Sequence, residues 1–159
     1  SMVNQGTTFN FNVLLGIGAA LADTQPKNEL YFNELDVPKV LVVDDNMVNQ
    51  VIMLKFLAKL NIKAEVASNG KEALTQVQNQ PFDLIFMDIQ MPIMDGLTAT
   101  QLIRKMPLAK QPYIVALTAN AFESDRERSL KMGMNDFLSK PFLFEHIKTK
   151  VAELCHWKG

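Results

Sequence analysis

From Lys39 onward, short apolar runs alternate with longer stretches that mix apolar and polar positions. The run "KVLVV" (39–43) reads as a strand buried on both faces. "NMVNQVIMLKFLAKL" (46–60) reads as a helix. Its Val48, Val51, Ile52 and Phe56 fall near one stripe, and Asn46 is placed to cap it. "KAEVA" (63–67) predicts a short strand, and "NGKEALTQVQNQ" (69–80) a helix that Pro81 stops. "FDLIFMD" (82–88) predicts a strand, and "GLTATQLIRKM" (96–106) a helix ending before Pro107. "YIVALT" (113–118) predicts a strand; "FESDRERSLKMG" (122–133) predicts a helix, with Gly133 suited to its C′ position. "DFLS" (136–139) is a short strand. "LFEHIKTKVAELC" (143–155) is a last helix, with Phe144, Ile147, Val151 and Leu154 on one face. Five strand–helix pairs in alternation predict an α/β fold, a parallel sheet covered on both sides. In open sheets of this kind ligands bind beyond the carboxyl ends of the strands.

Upstream the texture differs. Residues 3–22 are apolar with a polar start. Residues 23–38, "DTQPKNELYFNELDVP", are polar with two prolines and read as a linker. "VLLGIGAALAD" (13–23) has the look of a signal-peptide core. Yet no Lys or Arg precedes it, the first being Lys27, and the run is too short to span a bilayer. Ser1-Met2 reads as a tag remnant. "NQGTTFNFNVLL" (4–15) alternates at period two and sets Phe9, Phe11 and Val13 on one face, which predicts a strand. Such a strand needs cover for Phe9, Phe11, Val13, Leu14 and Leu15. It is expected to pack on the folded unit downstream or to pair with a neighbouring chain.

The chain of 159 residues fits one domain with some length left over. Its net charge of −1 gives no general attraction to nucleic acid or anionic membrane, so any charge-based function is local. No basic recognition helix favours DNA. The single cysteine, Cys155, excludes an internal disulfide and fits a reducing compartment; it is expected as apolar filling of the last helix.

The strand ends carry the candidate chemistry. The first ends in Asp44 and Asp45, the third in Asp88 and the fourth in Thr118; Lys140 follows the fifth. Taken alone, each has an ordinary structural role: an Asp caps a helix, a Thr stabilises a turn, a Lys is a solvated charge. Parallel strands bring all five to one rim. Clustered carboxylates take up protons or recruit a cation, and magnesium suits a hard oxygen site with phosphate. Lys140 supplies a point charge for an anion and Thr118 a hydroxyl donor. Such a set would stabilise a phosphoryl group on a carboxylate oxygen, with aspartate as the nucleophile.

The motifs "VLVVDDNMVNQ", "DLIFMDIQMPIMDGLTAT", "IVALTANA" and "GMNDFLSKPF" resemble the receiver domain of two-component response regulators. The resemblance spans about Lys39 to Cys155. It implies a flavodoxin-like (βα)5 doubly wound sheet with strand order 2-1-3-4-5. It implies that Asp88 is the phosphoacceptor and that Asp44 and Asp45 organise Mg2+, Asp45 being the direct ligand of the two. The Gln90 carbonyl would complete the ligands, and Lys140 would hold the phosphoryl group beside a cis Lys140–Pro141 bond. Thr118 and Phe137 match the paired switch positions. Ala119 is small beside an entry path, and Gln90 and Asn120 hold positions that influence phosphate loss.

The motif style resembles receivers fused to histidine kinases. The tail resembles the last strand of a kinase ATP-binding domain, which gives a kinase remnant at 1–22, a linker at 23–38 and the receiver at 39–157. The implied partners are a histidine kinase core and a histidine phosphotransfer domain, with no nucleic acid and no direct membrane contact. The implied location is cytoplasmic, whether or not the parent protein is anchored in a membrane. Two other functions fit the same fold. One is a receiver-like interaction module that takes no phosphate; it would have lost an acidic or Lys position, and none is missing. The other is an aspartate-nucleophile hydrolase; it would carry a second Asp where Gln90 stands.

Overall fold

The computed structural model describes residues 37–120 and 122–157. The tail at 1–22, nearly all of the expected linker and the packing expected of Phe9 and Phe11 lie outside the described residues. Five strands are described: β1 (Val40–Val43), β2 (Ala64–Ala67), β3 (Leu84–Asp88), β4 (Tyr113–Thr118) and β5 (Asp136–Ser139). They alternate with α1 (Met47–Lys59), α2 (Gly70–Asn79), α3 (Gly96–Lys105), α4 (Glu123–Lys131) and α5 (Phe144–Leu154). The sheet order is β2-β1-β3-β4-β5, and every neighbouring pair is parallel. The expected doubly wound architecture is present, with the expected strand order.

The three central strands are buried along their whole lengths apart from Tyr113, which is why they read as unbroken apolar runs. Within each, the period of two divides the side chains between two cores. Val40, Val42, Leu84, Phe86, Val115 and Leu117 pack with Met53 and Leu57 of α1 and with Ile147 and Val151 of α5. Leu41, Val43, Ile85, Met87, Ile114 and Ala116 pack with Ala73 and Val77 of α2 and with Leu97, Ala99 and Ile103 of α3. Val37, just upstream of β1, packs against the first core.

Helix starts follow local chemistry. Asn46 is the α1 cap and accepts from the Val48 N–H; Asn69 caps α2 through Glu72 N–H, and Asp95 caps α3 through Thr98 N–H. Gly133 takes φ +102° just beyond α4, as its C′ placement requires. The Lys140–Pro141 bond is cis.

Two expectations fail. The α1 stripe of Val48, Val51, Ile52 and Phe56 is not the core face. Met53 and Leu57 are fully buried there, whereas Val48 is 65% and Val51 45% exposed, Ile52 is exposed and Phe56 half-buried. The helix is apolar on more than one side, so periodicity alone cannot tell which side meets the sheet. Cys155 is exposed rather than filling a core. It is the C-cap of α5, past Ile147, Val151 and Leu154, the positions that face the sheet.

Candidate functional site

The carboxyl ends of β1, β3, β4 and β5 meet at one rim because the strands are parallel and in register. All five candidate residues come together there. Asp88 closes β3 and Asp44 follows β1; both side chains are almost fully buried. Asp45 is exposed at the mouth. A cavity of about 290 Å³ opens above them, lined among others by Asp45, Asp88, Gln90, Thr118, Asn120 and Lys140.

Lys140 joins the two buried carboxylates. Its Nζ lies 3.0 Å from Asp44 Oδ2 and 3.0 Å from Asp88 Oδ2. Asp88 Oδ1 accepts from the Gln90 N–H at 3.1 Å. Asp44 Oδ1 accepts from the Asn46 N–H at 2.8 Å, and Asn49 Nδ2 donates to both Asp44 oxygens, at 3.2 and 3.3 Å. Gln50 Nε2 donates to the Asp44 carbonyl at 2.7 Å, so the first turns of α1 hold the end of β1 from two sides.

Burial pushes the Asp88 carboxyl above the ordinary carboxylate range. The hydrogen bond and charge of Lys140 pull it back without overcoming burial, and the Asp44 charge adds to the rise. Burial by itself would lower the Lys140 ammonium, but its bonds to Asp88 and Asp44 outweigh that and hold it above its ordinary value. The site therefore keeps a protonated lysine between two carboxylates.

One oxygen from each of Asp44, Asp45 and Asp88 lies within 4.8 Å of the others. Three carboxylates against one ammonium leave an excess of negative charge. An all-oxygen set of this kind fits a hard divalent cation such as magnesium.

Thr118 faces the cavity but is engaged elsewhere. Its hydroxyl donates to the Asn120 carbonyl at 2.7 Å and accepts from the Asn120 N–H at 3.0 Å. Phe137 is half-buried on β5, with the Arg126 guanidinium 5.3 Å from its ring centre. Ala119 and Asn120 are exposed at the rim.

Four contributors lie outside the residues the strand ends point to: Asn49, Gln50, Gly96 and Arg128. Asn49 and Gln50 stand in the quoted run "DDNMVNQ", and their spacing after Asp44 on a capped helix was the available signal. Gly96 was not singled out at all. A Cβ built there would come within 2.0 Å of the Asp88 carbonyl oxygen. Arg128, on α4, also lines the cavity, and nothing local in the sequence marks it.

The family model of the response regulator receiver domain matches residues 40–152. The chain belongs to that family. Hybrid signal transduction histidine kinase K of Dictyostelium discoideum is 40% identical over 155 residues, which covers 92% of this chain and 13% of that protein. The receiver domain thus corresponds to a small part of a far longer relative. A chain in the co-crystal structure of the Saccharomyces cerevisiae histidine phosphotransfer protein Ypd1 with the receiver domain of Ssk1 superposes with a TM-score of 0.69. It is 36% identical, with 74% of this chain and 90% of that one covered. The receiver domain of the Pseudomonas aeruginosa sensor histidine kinase PA1611 gives a TM-score of 0.70 at 35% identity, covering 76% and 99%; that structure has magnesium coordinated in its active-site cleft. Among the described residues of this receiver domain, no helix is long and apolar enough to cross a membrane.

Proposed function

We propose that this receiver domain takes a phosphoryl group from a phosphohistidine onto Asp88 and passes it on within a two-component phosphorelay. The observation that carries this reading is the single ammonium of Lys140, set 3.0 Å from both Asp44 and Asp88 at the floor of an open cavity. A buried carboxylate next to a cation that can turn toward an arriving anion is arranged for nucleophilic attack on phosphorus. An Asp88 oxygen forms the new P–O bond while the P–N bond of the phosphohistidine breaks, its electron pair staying on the imidazole nitrogen. Lys140 then holds the phosphoryl oxygens. Asp45, Asp88 and the Gln90 carbonyl would hold Mg2+, with Asp44 beside them; when bound, the ion offsets negative charge on the transferring oxygens.

Thr118 and Phe137 are the switch. Thr118 leaves the Asn120 carbonyl to donate to the phosphoryl group, and Phe137 moves with it, away from the Arg126 guanidinium. The partner that brings or removes the phosphoryl group is a histidine phosphotransfer protein or the kinase core. It docks on α1, whose start is fixed by the Asp44 end of β1. Support comes from the apolar side chains exposed there, Met47, Val48, Val51 and Ile52, and from the phosphotransfer protein that accompanies the Ssk1 receiver. The tail at 1–22 is read as the end of a kinase ATP-binding domain. In favour, the 92% coverage by the Dictyostelium kinase exceeds the share of the chain from Val40 onward, so the similarity runs upstream of β1.

Mass spectrometry with a small phosphodonor and magnesium tests the reading. Wild type is expected to gain the mass of one phosphoryl group, only with magnesium, and Asp88→Asn none. A phosphorylated Asp88→Asn protein would refute the assignment of the acceptor.

A further inference from the structure

The Asp44 carboxylate is fully ringed by donors. Asn46 N–H and Asn49 Nδ2 approach Oδ1, while Asn49 Nδ2 and Lys140 Nζ approach Oδ2. An ionised carboxylate offers about four lone-pair sites, and here each meets a donor. Asp45, by contrast, stands exposed at the mouth. Two of the four approaches to Asp44 come from one amide, that of Asn49, which also lines the cavity.

We infer that Asn49 is a positioning residue that keeps Asp44 turned toward Lys140 and out of direct contact with the metal. The inference rests on the phosphoacceptor reading above. With Asn49 in place, Asp44 shares Lys140 with Asp88, and the cation is left to Asp45 and Asp88. Without it, Asp44 has two free lone-pair sites next to a divalent ion and rotates onto it. Asp44 and Asp45 would then hold the metal together and more tightly, in competition with Asp88. Lys140 loses the second carboxylate that holds it in the bridging position.

The two consequences have opposite signs, which separates positioning from plain structural support. Calorimetric titration with magnesium chloride and phosphoryl uptake at saturating magnesium should be measured for Asn49→Ala and Asn49→Leu. Alanine removes the amide from an otherwise good helix position; leucine keeps the volume and removes the donor. Both variants are expected to bind magnesium more tightly and to take up phosphate more slowly, the slowing by about tenfold, the lower end of what loss of a supporting contact costs in activity. Magnesium binding that is unchanged or weaker in both variants would overturn the inference. So would uptake that matches wild type. If wild type takes up no phosphate, the phosphoacceptor reading fails instead, and the magnesium titration still decides what Asn49 does.

Discussion

Asp88, the proposed acceptor, carries a cost to the fold. Its folded carboxyl titrates above its unfolded value because burial opposes the charge. A group raised in this way stabilises the fold below its unfolded pKa, and that contribution is lost as pH rises through the folded pKa. At neutral pH the buried charge is therefore a burden, and Asp88→Asn relieves it. In magnesium-free buffer the Asn variant is expected to melt above wild type at pH 7, with the gap closing as pH falls toward the ordinary carboxyl value of 3.8. Thermal melts across that range check it; a gap that widens on acidification would contradict burial as the dominant cause. At this scale the sequence supplied residue types. Asp44, Asp45, Asp88, Thr118 and Lys140 were all legible because each sits at a strand end. That Thr118 bonds back to Asn120, or that Lys140 bridges two carboxylates, depends on side-chain directions that no spacing encodes.

The elements place those residues, and one glycine sets their spacing. The start of α3 runs directly against the end of β3: the Gly96 N–H bonds the Ile89 carbonyl at 3.0 Å, and the Gly96 Cα faces the Asp88 carbonyl. A Cβ there, 2.0 Å from that oxygen, has no room, and the neighbour is backbone that cannot rotate away. Gly96→Ala is expected to cost about 3 kcal/mol or more in urea denaturation, beyond the ordinary overpacking range because the clash is with main chain. A cost under about 1 kcal/mol would mean that α3 can shift outward freely. Helices and strands themselves were legible from periodicity and caps: Asn46 and Gly133 fall where the pattern put them. The α1 stripe was not. Met53 and Leu57 face the sheet in place of Val48 and Val51, and the same rotation of α1 carries Asn49 and Gln50 onto Asp44.

For the whole molecule, the same rotation leaves an apolar surface beside the cavity that Asp88 lines. Met47 and Val48 are 73% and 65% exposed, and Val51 and Ile52 continue the surface along the helix. If a phosphotransfer partner docks there, Val48→Asp and Val51→Asp together should slow transfer from a phosphorylated histidine phosphotransfer protein by at least about a hundredfold, the loss of two central apolar contacts. Uptake from a small phosphodonor should stay as in wild type, because neither side chain lines the cavity. Equal loss with both donors would show damage to the site and not to docking.

The sequence by itself determined the alternation of strands and helices, and with it a parallel sheet whose carboxyl ends gather an acidic set, a hydroxyl and a lysine. Local propensity, caps and strand burial act over a few residues, so they survive in one dimension. Only the tertiary structure decided which face of α1 is buried, that Asn49 and Gly96 serve the site, and that one ammonium is shared between Asp44 and Asp88. Those depend on how two cores on opposite faces of one sheet fix the rotation of each helix, and packing across a sheet joins residues that the chain keeps far apart.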